Sequence, residues 1–266
     1  MALDIHARFD FFLGTVTDVL LQFEAAALPE QTIISCDTQL CVSEHVARVP
    51  AQDSIGERVW LRMQGQCEIA YTARVEVNRM LADIATLDAL PPHHLPGETI
   101  EYVFDSRYCA AERMHGFVNS EFGHLSGGQR IAAIRDWIAN KITYSPGSSN
   151  AETTALDTFA DRHGICRDFA HLLITFARAS GIPARYVSCF APGVTPQDFH
   201  AVAEVFLADP TIAGGGAWHI VDATGMADPA QTVKIGIGRD AADVSFMTTF
   251  GMAQFGNKEV SVSATT

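Results

Sequence analysis

The stretch Arg162-His163-Gly164-Ile165-Cys166-Arg167-Asp168-Phe169-Ala170-His171 puts a cysteine where a loop turns into an apolar helix. Beyond it Phe169, Leu172, Leu173, Phe176 and Ala177 recur at the spacing of one helical face. Ser180-Gly181-Ile182-Pro183 closes that helix: Gly181 suits a left-handed cap and Pro183 forbids continuation. A thiol at a helix N-terminus meets unpaired amides and the positive end of the macrodipole, which favour its anion. Gly164 lets the backbone turn tightly and leaves room for a substrate to approach. The competing reading of Cys166 is a small buried hydrophobe.

Further along, strands are expected at 184–190, 200–207 and 218–222. His200 lies in Phe199-His200-Ala201-Val202-Ala203-Glu204-Val205, and Asp222 in Val221-Asp222-Ala223-Thr224. Both flank a loop with glycine at 214, 215 and 216, which reads as a long hairpin. A hairpin centred near residue 212 sets position 200 beside 224, and a shift of one residue in the centre sets it opposite 222. Cross-strand neighbours lie about 5 Å apart, within carboxylate–imidazole reach. His219 differs from Asp222 in parity, so the pleat sends the two to opposite faces. On the helix, Asp168 lies about 200° and His171 about 140° around from Cys166, so neither shares a face with the sulfur. Cysteine, histidine and aspartate together are the parts of an activated sulfur nucleophile: the base takes the proton and the acid orients the base.

A chain of 266 residues can bury a good core and is more often two domains than one. With 48% hydrophobic and 18% charged residues it is an ordinary globular chain. The net charge of −13 argues against a nucleic-acid partner, since phosphate binding needs a basic surface. Six cysteines show no Cys-x-x-Cys pair and no zinc spacing. The run from Phe9 to Leu21 is interrupted by Asp10, Thr15, Thr17 and Asp18, so no membrane span is expected there. Nor do the first ten residues follow the basic-then-apolar order of a signal peptide. These readings together predict a cytoplasmic protein with reduced thiols.

The first ninety residues read as short β segments (32–35, 59–63 and 67–77), which predicts a small antiparallel sandwich. Pro91-Pro92-His93-His94-Leu95-Pro96-Gly97 is the linker signal. The expected division is a β-rich domain over 1–100 and a catalytic domain over 101–266. After the linker, Ile131, Ile134, Trp137 and Ile138 mark a helix over 128–142, and a shorter helix is expected over 154–160. Gly236-Ile237-Gly238 resembles half of a dinucleotide fingerprint, but too little chain follows it to complete a βαβ unit.

Taken in order, the segments around Cys166, Gly181-Ile182-Pro183-Ala184-Arg185-Tyr186-Val187, Phe199-His200-Ala201, Val221-Asp222-Ala223-Thr224 and Gly238-Arg239-Asp240-Ala241 resemble the transglutaminase-like superfamily of bacterial proteins. The likeness runs over about residues 105–250. It implies a papain-like α+β core, with the cysteine on a helix packed against an antiparallel sheet that carries the other two. By that resemblance Cys166 is the nucleophile, His200 the general base and then acid, and Asp222 the residue that orients the imidazole. The Cys166 amide would be one oxyanion donor. Tyr144 is the candidate for the second, its alternative role being that of a core aromatic. Asp168 and His171 are expected to make scaffold hydrogen bonds, and Arg239 and Asp240 to hold a loop. Relatives commonly carry tryptophan two residues after the histidine, where Val202 stands here.

The expected activity is acyl transfer from peptide or side-chain amides, with water as acceptor in a cysteine protease or amidohydrolase. Transfer to an amine, as in a crosslinking transglutaminase, and a non-catalytic binding module are the alternatives. The mechanism requires no cofactor or metal. The expected partner is a peptide or protein substrate, neither nucleic acid nor membrane, and the oligomeric state is left open.

Overall fold

The computed structural model describes residues 2–52 and 55–265. Its first unit is built from β1 (Ala2–Leu21), β2 (Gln31–Gln39), β3 (His45–Val49) and β4 (Arg58–Val77). The second contains α1 (His115–Phe122), α2 (Gly127–Lys141), β5 (Thr143–Tyr144), α3 (Ala155–Asp161), β6 (His163–Gly164) and α4 (Cys166–Ala179). It continues through β7 (Ala184–Phe190), β8 (His200–Ala208), β9 (Gly216–Val221) and β10 (Val233–Gly238). The chain ends in β11 (Met247–Thr249) and β12 (Ala253–Thr265).

The N-terminal unit is one six-stranded antiparallel sheet, in which β1 pairs with β4, β11 and β12, and β4 also with β2 and β3. Two of its strands run for 20 residues each, far longer than the short segments expected. Strict alternation explains the length. Leu3, Ile5, Ala7, Phe9, Phe11 and Leu13 are buried, while the residues between them face outward or lie at the margin. A register shift between Leu13 and Thr17 carries β1 past the polar interruption. The predicted boundary near residue 100 needs correction at the far end. Residues 247–265 return to β1, so the first sheet takes both ends of the chain.

Cys41 and Cys67 form a disulfide with Cα atoms 5.2 Å apart, which corrects the expectation of reduced thiols throughout. No cysteine motif marks this pair, because the fold alone brings the loop after β2 over β4. Cys36, Cys109, Cys166 and Cys189 are free. Among the described residues no helix is long and apolar enough to cross a membrane.

In the second unit the sheet order is β10-β7-β8-β9, antiparallel throughout. One face packs on α4 through Ala184, Tyr186, Ala201, Ala203, Val205 and Leu207, which share a core with Leu172, Leu173, Phe176 and Ala177. Around the margins Phe190, Val233 and Ile235 join the core of the N-terminal sheet, locking the two units together. The segment just before the linker is likewise fastened to α2. Gly128 donates its N–H to Leu87 O at 2.8 Å, and a side chain on Gly128 would run into Ile84 O. A buried ionic cluster bridges the units, with Glu204 of β8 bound by Arg185 at 2.8 Å and by Lys234, which also meets Glu30.

Candidate active site

Cys166 is the first residue of α4, half-buried, as the sequence predicts. The helix start is built by Asp168, whose buried carboxylate accepts the Ile165 N–H at 2.8 Å and the Ser149 hydroxyl at 2.9 Å. That is the reach-back half of a capping box. Gly164 is buried, and the space a side chain would take is filled by the Asp168 Cβ at 2.7 Å. Packing on Asp168 therefore accounts for this glycine, in place of the expected room for substrate. His171 stacks on Tyr108 with centroids 5.0 Å apart and accepts the Ala241 N–H on Nε2 at 3.1 Å. Burial and the nearby Arg167 and Arg178 hold it well below the usual imidazole range, so it is a neutral scaffold group. Asp240 accepts the Tyr108 N–H at 2.9 Å, and Arg239 pairs with Asp243 at 2.9 Å, so both hold a loop.

His200 opens β8, its side chain fully buried. The hairpin register sets Val205 opposite His219 and Ala203 opposite Val221, so of the two registers left open it is the one that aligns 200 with 224. The ladder ends at Val221, and Asp222 leaves the strand to reach His200 diagonally. His200 Nε2 donates to Asp222 Oδ2 at 3.0 Å, and Thr224 Oγ1 stands 3.5 Å from the same nitrogen. Its Nδ1 is buried and has no hydrogen-bond partner.

Asp222 is gripped by the loop that follows it. The Thr224 N–H reaches Oδ1 at 2.8 Å, and the Thr224 hydroxyl reaches both carboxylate oxygens at 2.8 Å. The N–H groups of Met226 and Ala227 reach Oδ2 at 3.1 and 2.8 Å. Burial alone would raise its pKa, but the His200 bond and these amides outweigh it and hold the carboxyl below the usual range. For His200, burial favours the neutral ring, and the bond to Asp222 together with the Cys166 sulfur overcomes it, lifting the imidazole to about 9. The sulfur is thus an electrostatic neighbour of the ring whose other nitrogen is already committed. Sequence reasoning did not single out Thr224, although Asp-x-Thr in a turn is a recognisable side-chain–backbone motif.

Tyr144 sits one strand over from the thiol. Its strand β5 pairs in parallel with β6, setting Tyr144 beside Gly164, and Ser145 N–H donates to Gly164 O at 2.9 Å. Burial first, and then the charge at Cys166, pushes its phenol up to about 12, and the Cys166 amide is a further neighbour. The ring packs on Phe169 with centroids 5.8 Å apart, so the side chain is a core aromatic that also neighbours the thiol. Val202 is buried among Val187, Cys189, Ile220 and Ile237 and is a core residue. His219, on the strand before Asp222, is buried with no partner on Nε2.

The comparisons with known proteins bear on the family and the fold. The model of the transglutaminase-like superfamily matches residues 108–223, spanning all three candidate residues. The crystal structure of a "Putative Cysteine Protease" from Cytophaga hutchinsonii superposes with a TM-score of 0.90 at 31% identity, covering 99% of this chain and 90% of that one. An uncharacterized protein of Mycobacterium leprae is 31% identical over 119 residues, 43% of this chain and 41% of the relative. One from Mycobacterium tuberculosis is 33% identical over 129 residues, 43% and 40% of the two chains. The match spans about two-fifths of the length of these curated relatives. A helix opening on a cysteine, packed on an antiparallel sheet, defines a papain-like α+β fold. This chain belongs to the transglutaminase-like superfamily.

Proposed function

We propose that this protein is a thiol-dependent acyl-transfer enzyme that hydrolyses peptide or side-chain amides through Cys166, His200 and Asp222. One observation carries the reading: His200 commits Nε2 to a fixed carboxylate and keeps Nδ1 buried and unpartnered beside the thiol helix. At neutral pH the proton of Cys166 already resides on Nδ1 as an imidazolium–thiolate pair, and in the first step the sulfur bonds to the amide carbonyl carbon. The developing oxyanion is met by the Cys166 amide and, in this proposal, by the Tyr144 hydroxyl. Collapse breaks the C–N bond, Nδ1 gives its proton to the leaving amine, and a thioester remains. Water then gives a proton to Nδ1 and its oxygen bonds to the thioester carbon, releasing acid and restoring the thiol.

The substrate in this reading is a peptide or protein. The Cys41–Cys67 disulfide supports an oxidising compartment over the cytoplasm expected from sequence. A pool of short peptides, incubated with the native chain and with Cys166→Ala, tests the activity. Cleavage lost in the variant, without incorporation of a labelled primary amine, is the expected result. Amine incorporation without cleavage would replace hydrolysis by crosslinking, and activity surviving in Cys166→Ala would overturn the thiol mechanism.

A further inference from the structure

The three residues that precede His200 are each tied to the N-terminal sheet, by three different kinds of interaction. Gln197 gathers the loop between β7 and β8: its Nε2 donates to Pro192 O at 2.7 Å and Val194 O at 3.1 Å. The same side chain accepts the Val262 N–H of β12 on Oε1 at 2.8 Å. Asp198 is paired with Lys258 of β12 at 2.5 Å. Phe199 enters an aromatic cluster with Phe246 at 4.5 Å, Phe190 at 5.3 Å and Phe9 of β1 at 6.5 Å between centroids. Among the described residues, no other segment directly flanking a candidate catalytic residue is tied to the N-terminal sheet in this way; the loop after Asp222 is tied only further along, by Arg79 to Pro229 O and Thr232 O. Cys166 is set by Asp168 and Ser149, and Asp222 by its own loop.

From this we infer that the N-terminal sheet is the positioning device for His200, acting through Gln197, Lys258 and Phe199. The inference rests on the proposed function only for its catalytic meaning, since the imidazole's placement can be read directly. Where β8 begins fixes where the ring meets Asp222, and a hydrogen bond of this kind is lost over a displacement of about 1 Å. The N-terminal sheet therefore has a role in the chemistry without supplying a reacting group. The groups that face the ring are Cys166 from α4, Asp222 and Thr224 from the loop after β9, and Cys189 from the neighbouring strand. None of them belongs to the N-terminal sheet; Asp198, two residues before the ring, is unmasked when Lys258 is lost, and its charge alone would raise the imidazole, so a fall in the midpoint reads the ring's position.

The test is the titration of His200 by imidazole-nitrogen NMR on the full chain, with the signal assigned from His200→Ala. Gln197→Leu and Lys258→Ala are compared with Phe11→Leu, a substitution in the same sheet core away from the loop. The native midpoint near 9 is expected to fall by about one unit or more in the first two and to stay in place in the third. Lys258→Arg should restore it. Lys258 is an exposed residue whose loss is expected to leave the fold intact, so the experiment survives if Gln197→Leu does not fold. An unchanged midpoint in Lys258→Ala, or an equal fall in Phe11→Leu, overturns the inference. Peptide cleavage measured in parallel separates the outcomes: a shifted midpoint in a chain that never cleaves would sink the proposed function and leave the positioning intact.

Discussion

The imidazole of His200 lies 3.0 Å from the carboxylate of Asp222, and that carboxylate accepts further hydrogen bonds from Thr224, Met226 and Ala227. Asp222 cannot rotate away without leaving buried amides unpaired, at about 1–3 kcal/mol each. The ring is therefore held with Nδ1 free.

Stability should depend on pH on both sides of neutrality. His200 is lifted from 6.5 to about 9 in the folded chain, so its contribution is complete below about pH 6.5 and disappears as pH rises through 9. Asp222 is held below 3.8, so its contribution is present above that pH and disappears as pH falls further. Denaturant midpoints measured across the range should drop at both ends. His200→Ala should flatten the alkaline fall. Hydrolysis should decline on the same alkaline limb, as the imidazolium loses its proton.

Tyr144→Phe separates the two roles of that side chain. The ring stays packed on Phe169, so stability should change by less than about 1 kcal/mol. If the hydroxyl meets the oxyanion, kcat should fall on the order of ten- to a hundredfold with KM nearly unchanged. Unaltered kcat would return Tyr144 to a purely structural role.

Glu204 tests the ionic bridge between the units. Burial opposes its charge, but Lys234 and Arg185 outweigh that and hold the carboxyl at about 2. Glu204→Gln leaves buried Arg185 without its carboxylate and Lys234 with Glu30 alone, an expected loss of about 3–5 kcal/mol by urea unfolding. In the native chain this contribution is present above pH 4.5 and disappears as pH falls toward 2.

The order of elements from α2 to β9, the cap at Gly181 and the hairpin that unites His200 with Asp222 were legible because periodicity and turn residues act over short range. The long strands β1 and β4 were not, since the polar interruption at Thr15 and Thr17 reads as a strand end unless the bulge beside it is known. The return of β12 to β1 joins residues 240 to 263 apart in sequence, and the Gln197–Val262 contact that comes with it joins residues 65 apart, with no local signal for either. Gly164 was read for substrate because its neighbour in space, Asp168, was placed correctly on the helix but not folded back over the glycine.

The disulfide gives a direct count. Denatured without reductant, the chain should show the four thiols of Cys36, Cys109, Cys166 and Cys189, and two more after reduction. Replacing Cys41 and Cys67 by serine should cost about 2–4 kcal/mol of stability. Six thiols without reductant would restore the sequence expectation.

The central claim is that Cys166 is activated by His200, and the alkylation rate of each free cysteine by iodoacetamide near neutral pH, read by mass spectrometry, tests it most directly. Cys36 is exposed and free and serves as the internal reference. The account predicts that Cys166 labels faster than Cys36 in the native chain and loses at least about tenfold in His200→Ala, while Cys36 does not change. Labelling of Cys166 no faster than Cys36, and indifferent to His200, would contradict it.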